Sequence, residues 1–142
     1  MVKHVWSVLC QNSTIDQDDN SLSIHNVLDT INIKPEAEKQ TTKFVIPLNF
    51  EVVSLLSNTE VKGETKIEIK IVILNPEMDK LGDFVAPIVI PAGKKRMRSR
   101  VKMSGLPIKG GGDYIVLVSL KTKEDKNFQD VASLPFEVKF IE

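Results

Sequence analysis

Residues 66–73, KIEIKIVI, alternate so regularly that they admit one secondary structure. Ile67, Ile69, Ile71 and Ile73 fall on one side and Lys66, Glu68 and Lys70 on the other. A pleated strand satisfies that period of two, and a helix with about 3.6 residues per turn does not. A strand with one apolar face needs a second layer to cover it, so this segment alone calls for a layered β fold.

The same period returns along the chain. In FVIPLNFEV, residues 44–52, Phe44, Ile46, Leu48, Phe50 and Val52 share a face, and Pro47 on the other face marks an edge or bulged strand. Phe136, Val138 and Phe140 alternate with Glu137 and Lys139. Turn-forming clusters separate the runs: QDDNS at 17–21, NPEMDKLG at 75–82, PAGK at 91–94, GGGD at 110–113 and KEDKN at 123–127. The pattern predicts about eight strands, near 4–10, 21–33, 43–56, 64–74, 83–90, 94–104, 113–122 and 129–141. Strands of this length without a sustained helical stretch indicate an all-β chain, an immunoglobulin-like antiparallel β-sandwich, with a closed barrel as the alternative. PEAEKQTTK at 35–43 is the only helix candidate, where Pro35 suits a first position and Glu36 and Glu38 favour the N-terminal end, but it lacks an apolar stripe and reads as a solvated loop between strands with at most one helical turn.

With 142 residues the chain is expected to form a single domain. Nineteen basic and nineteen acidic residues cancel, so no overall field draws it toward nucleic acid or an anionic membrane. Cys10 is the only cysteine, flanked by Val8 and Leu9, and reads as a small core hydrophobe in a reducing compartment. No stretch approaches the roughly 18 apolar residues of a membrane helix, and the apolar run in MVKHVWSVLCQN is too short for a secretory leader. A cytoplasmic location is therefore expected, with no membrane partner.

Two longer segments carry a resemblance. LCQNSTIDQDDNSLSIHNVLDTI and VIPAGKKRMRSRVKMSGLPIKGGGDYIVLVSL resemble a group of small prokaryotic β-sandwich proteins of unknown function, the DUF6941 type. The shared elements are Cys10 in a first strand, Leu22 to Asp29 after a polar turn, and Gly105-Leu106-Pro107-Ile108 leading to Gly112-Asp113-Tyr114. The resemblance implies a β-sandwich and brings no catalytic residues. The last element also has a physical reading of its own. A tyrosine entering a strand after a glycine-rich loop can return its hydroxyl to upstream backbone, as in the tyrosine corner of sandwich folds. Gly110, Gly111 and Gly112 form a turn rather than a phosphate cradle, because no Lys-Ser/Thr pair opening a helix follows them.

Few residues suggest chemistry. Asp16, Asp18 and Asp19 offer oxygen ligands, but an EF-hand loop begun at Asp16 needs glycine where Ser21 stands and glutamate where Val27 stands. A calcium site assembled with another loop is the remaining functional reading of that turn, and a solvated hairpin tip is the plain one. His4, His25 and Cys10 are too small an inventory for zinc. No nucleophile elbow or activated-cysteine motif supports catalysis, and no cofactor is implied. Trp6 and Phe84 read as packing residues.

The strongest local feature is KKRMRSRVK at 94–102, which holds six of the nineteen basic residues and every arginine. Outside it, thirteen basic residues face nineteen acidic ones. On a strand, Lys94, Arg96, Arg98, Arg100 and Lys102 share one face at a spacing of about 6.6–6.8 Å, and Met97, Ser99, Val101 and Met103 share the other. The row reads either as a solvated strand face paired with groups such as Glu68 or Asp83, or as a binding surface for an anionic partner. The expected function is a non-enzymatic interaction or scaffolding module that engages another protein or a second copy of itself. Nucleic-acid binding through the same strand is the alternative, disfavoured by the neutral total charge. A calcium-responsive module is the third reading.

Overall fold

The computed structural model describes residues 1–34, 42–59 and 62–141. The chain is all β: β1 (Val2–Ile15), β2 (Leu22–Val27), β3 (Thr30–Ile33), β4 (Lys43–Asn58), β5 (Thr65–Leu74), β6 (Lys80–Ile90), β7 (Arg96–Lys109), β8 (Gly112–Lys121) and β9 (Gln129–Phe140). They form a four-stranded sheet ordered β2-β1-β4-β7 and a five-stranded sheet ordered β3-β9-β8-β5-β6. The helical turn considered at Pro35 lies outside the described residues.

From β4 onward the order is immunoglobulin-like. β4 neighbours β7 in one sheet and β5, β8 and β9 are adjacent in the other, with β6 extending the second sheet beyond β5. This matches the B–E and C–F–G pairings of the immunoglobulin sandwich. The β1–β2 hairpin widens the first sheet on the far side of β4.

The alternating residues meet between the sheets. Ile67, Ile69, Ile71 and Ile73 are buried with Phe50, Val52 and Leu56 of the facing sheet, and with Tyr114, Phe136 and Val138. Pro47 sits at a register shift between Ile46 and Asn49, where β4 pairs with β7 and has already parted from β1. A residue without an amide donor is tolerated there. The Tyr114 hydroxyl accepts the Lys109 N–H at 2.8 Å and lies 2.8 Å from the Lys109 carbonyl and 2.6 Å from that of Gly110. It closes the β7–β8 corner in the way the sequence suggested.

Two details differ from expectation. The segment 21–33 is two strands in different sheets, because its apolar phase changes from Leu22 and Ile24 to Ile31 and Ile33. Asn26 takes a left-handed conformation (φ 62° is found at Asn20 and 56° at Asn26), and the chain crosses between the sheets just after it. Asparagine tolerates that region better than most residues. β3 then pairs in parallel with β9, so the second sheet is not wholly antiparallel.

Candidate functional site

The basic segment lies on an edge. β7 pairs with β4 alone in its sheet. It starts at Arg96 and runs to Lys109, so Lys94 belongs to the preceding turn. That turn is closed by the Lys94 N–H on the Pro91 carbonyl at 3.2 Å, with Gly93 at φ 81°. A positive φ at the third position of a turn is the role glycine fills without strain. The Asn58 N–H bonds to the Lys95 carbonyl at 2.8 Å and fixes the exit toward β7.

Inside β7 the alternation holds. Ser99 and Val101 are buried, Met97 and Met103 half-buried, and the cations face outward. The expected partners do not. Glu68 is on β5 and Asp83 on β6, both in the other sheet, and Asp83 pairs with Lys80 at 2.8 Å. The residues beside the cations come from β4: Ser57 opposite Arg96, Leu55 opposite Arg98, Val53 opposite Arg100 and Glu51 opposite Lys102.

The outer face carrying this row is partly covered by the β1–β2 hairpin. β1 pairs with β4 as far as Cys10 opposite Glu51. Beyond that point the Glu51 carboxylate takes over, accepting the Ser13 N–H and the Ser13 hydroxyl at 2.8 Å each. Arg100 Nη1 donates to the Ser13 carbonyl at 3.3 Å and approaches its Oγ at 3.4 Å. Arg98 Nη1 donates to the Asn20 carbonyl at 2.7 Å. The hairpin and the basic strand are thus tied at Ser13 and Asn20. Arg98 and Arg100 are half-buried, while Lys94, Arg96 and Lys102 are exposed.

Between the hairpin tip and the start of β7 remains a cleft of about 740 Å³. Its apolar floor includes Trp6, Leu22, Ile24 and Leu55, and its cationic wall is Lys94, Arg96 and Arg98. None of the described residues lining it is acidic. Trp6, expected in packing, is a cleft residue because of a register shift between His4 and Trp6. Before the shift His4 lies opposite the buried Leu56; after it Trp6 lies opposite Leu55, whose side chain shares the outer face with Arg98. One extra residue turns the strand over. Phe84, also read as packing, is 44% exposed and borders a separate slot between β6 and β7.

Asp16, Asp18 and Asp19 form the hairpin turn, all exposed. Asp16 Oδ1 accepts the Asp18 N–H at 2.7 Å and Asp19 Oδ1 accepts the Ser21 N–H at 2.9 Å. The Ser21 contact holds the Asp19 carboxyl below the usual carboxylate range. Among the described residues no group of three or more His, Cys, Asp or Glu side chains could hold a metal ion.

The remaining reactive groups lie elsewhere. Cys10 is fully buried, and burial followed by the Glu51 charge pushes its thiol up. His25 Nε2 contacts Thr14 Oγ1 at 3.0 Å. His4 Nε2 meets Ser7 Oγ at 2.7 Å, which in turn meets Ser54 Oγ at 2.7 Å. Among the described residues no helix is long and apolar enough to cross a membrane. Compared with protein-family models and with curated proteins, the chain matches none.

Proposed function

We propose that this protein is a non-enzymatic interaction module, acting in the cytoplasm, that captures an anionic segment of another protein at the cleft between the β1–β2 hairpin and β7. One observation carries the reading: Lys94, Arg96 and Arg98 line one wall of a cleft with no acidic side chain among its described lining residues. Arginine's planar fork suits carboxylates, and a partly desolvated site strengthens the contact. The last two cations of the row, Arg100 and Lys102, act differently. Arg100 supports the hairpin through Ser13, and Lys102 lies midway along β7 opposite Glu51, outside the cleft. Kinship with the DUF6941-type group belongs to the same proposal and rests on the quoted segments, which form the β1–β2 hairpin and the β7–β8 corner.

The test is capture from a cell lysate, with and without nuclease, by the wild-type protein and by Lys94→Glu/Arg96→Glu. Both positions are exposed, so the variant should fold with its stability changed by no more than about 0.5 kcal/mol. A nuclease-resistant protein partner retained by the wild type and lost by the variant supports the reading. Equal retention by both removes the cleft, and release by nuclease assigns the surface to nucleic acid.

A further inference from the structure

The cations explain attraction to acid but leave the floor of the cleft unused. Leu22, Ile24, Leu55 and the indole of Trp6 are half-buried and close to the guanidinium groups, within one cavity of about 740 Å³. Ile15, at the same site, is 37% exposed. A surface evolved only to hold charge in solvent has no need of such a floor. Sites that bind with selectivity combine an apolar lining with a few placed polar groups, and tryptophan and arginine are the side chains most often found at the energetic centre of protein interfaces.

The chain's own acidic turn does not fill the site. Asn20 and Ser21 reach the cleft, but Asp16 and Asp19 direct carboxylate oxygens to N–H groups of their own turn. Arg98 meets this turn through the Asn20 carbonyl, a neutral acceptor, and uses one of its five N–H donors there. None of the ion pairs between described residues involves Lys94 or Arg96. Among the described residues, then, no ion pair compensates Lys94 or Arg96, and their charge lies directly beside the apolar floor.

We infer that the segment recognised is a peptide in which acidic residues flank a bulky aliphatic or aromatic side chain: the carboxylates meet Lys94, Arg96 and Arg98 while the apolar side chain settles against Trp6, Leu55 and Ile24. This rests on the reading of the cleft as a site for an anionic protein segment and adds the second determinant. Charge complementarity selects acidic sequences, and the floor discriminates among them. Burial of one leucine-sized side chain corresponds to a preference of about tenfold or more over a polar residue.

Trp6 is the only tryptophan, so its emission reports occupancy of the cleft directly. The experiment titrates the intact protein at physiological salt with three synthetic octapeptides. One has two central leucines flanked on each side by glutamates, the second has serines in place of the leucines, and the third has lysines in place of the glutamates. The leucine peptide is expected to shift Trp6 emission and to bind at least about tenfold more tightly than the serine peptide, with no response to the lysine peptide. Equal affinity for the leucine and serine peptides overturns the apolar determinant while the anionic reading stands. No binding of either acidic peptide overturns both, and binding of the lysine peptide as strong as that of the leucine peptide overturns the charge determinant.

Discussion

The carboxylate of Glu51 holds Ser13 at two points, its N–H and its hydroxyl, each at 2.8 Å. Glu51 is only 4% exposed, so the hairpin above it shields these bonds from water. They replace the backbone pairing that β1 gives up beyond Cys10. Removing the carboxylate leaves a buried N–H without its acceptor, which costs about 1–3 kcal/mol. Glu51→Ala is accordingly expected to lower stability by that amount in urea denaturation and to speed hydrogen exchange at the Ser13 amide. A variant as stable and as protected as the wild type would show that the hairpin is held by other means.

Tyr114 makes a comparable test of the opposite end of β7. Its hydroxyl serves the Lys109 N–H and two carbonyls, and the ring is fully buried against Phe136, 5.2 Å between centroids. Tyr114→Phe keeps the ring packing and removes the hydroxyl. A loss of about 1–3 kcal/mol is expected in chemical denaturation, with peptide binding at the distant cleft unaffected.

The start of β8 depends on glycine for two separate reasons. Gly112 has φ 127°, and a Cβ there would stand 2.9 Å from Pro76 Cγ. Gly112→Ala is expected to lower thermal stability by more than about 1 kcal/mol, since both backbone conformation and space oppose it. Gly63 provides the control, because a Cβ there meets nothing within 4 Å. Equal melting temperatures for the two alanine variants would contradict this account of the corner.

Burial lowers the pKa of His4 from its ordinary value of 6.5. The folded protein thus prefers the neutral ring, and the unfolded chain binds the proton first. Stability from this group is present above pH 6.5 and is lost as pH falls from there toward the lower folded value. The His4→Asn variant should show a shallower decline in stability across that window than the wild type. Parallel declines would remove His4 as a contributor.

Most of the architecture was legible because burial imposes a period of two. The isoleucines of β5 and the Met97–Val101 face of β7 took the positions that their alternation required. The break between β2 and β3 was also written in the sequence, as the change from even to odd apolar positions, but it resembles one long strand until a sheet crossing is considered. The cleft was less accessible. The basic row marks one wall, yet Trp6 joins it only through a bulge at residues 4–6 whose residues carry no distinctive turn signal. The coverage by the hairpin depends on Glu51 and Ser13, 38 positions apart, and no local pattern relates them.

The location of binding is tested most directly by amide and indole chemical-shift mapping of the isotope-labelled protein with the glutamate-flanked leucine peptide. The account predicts shifts concentrated at the Trp6 indole N–H, at residues 20–24 and at residues 94–98, with the Lys94→Glu/Arg96→Glu variant losing them. Shifts confined to the slot beside Phe84 and Met103, or an unchanged spectrum at saturating peptide, would contradict it.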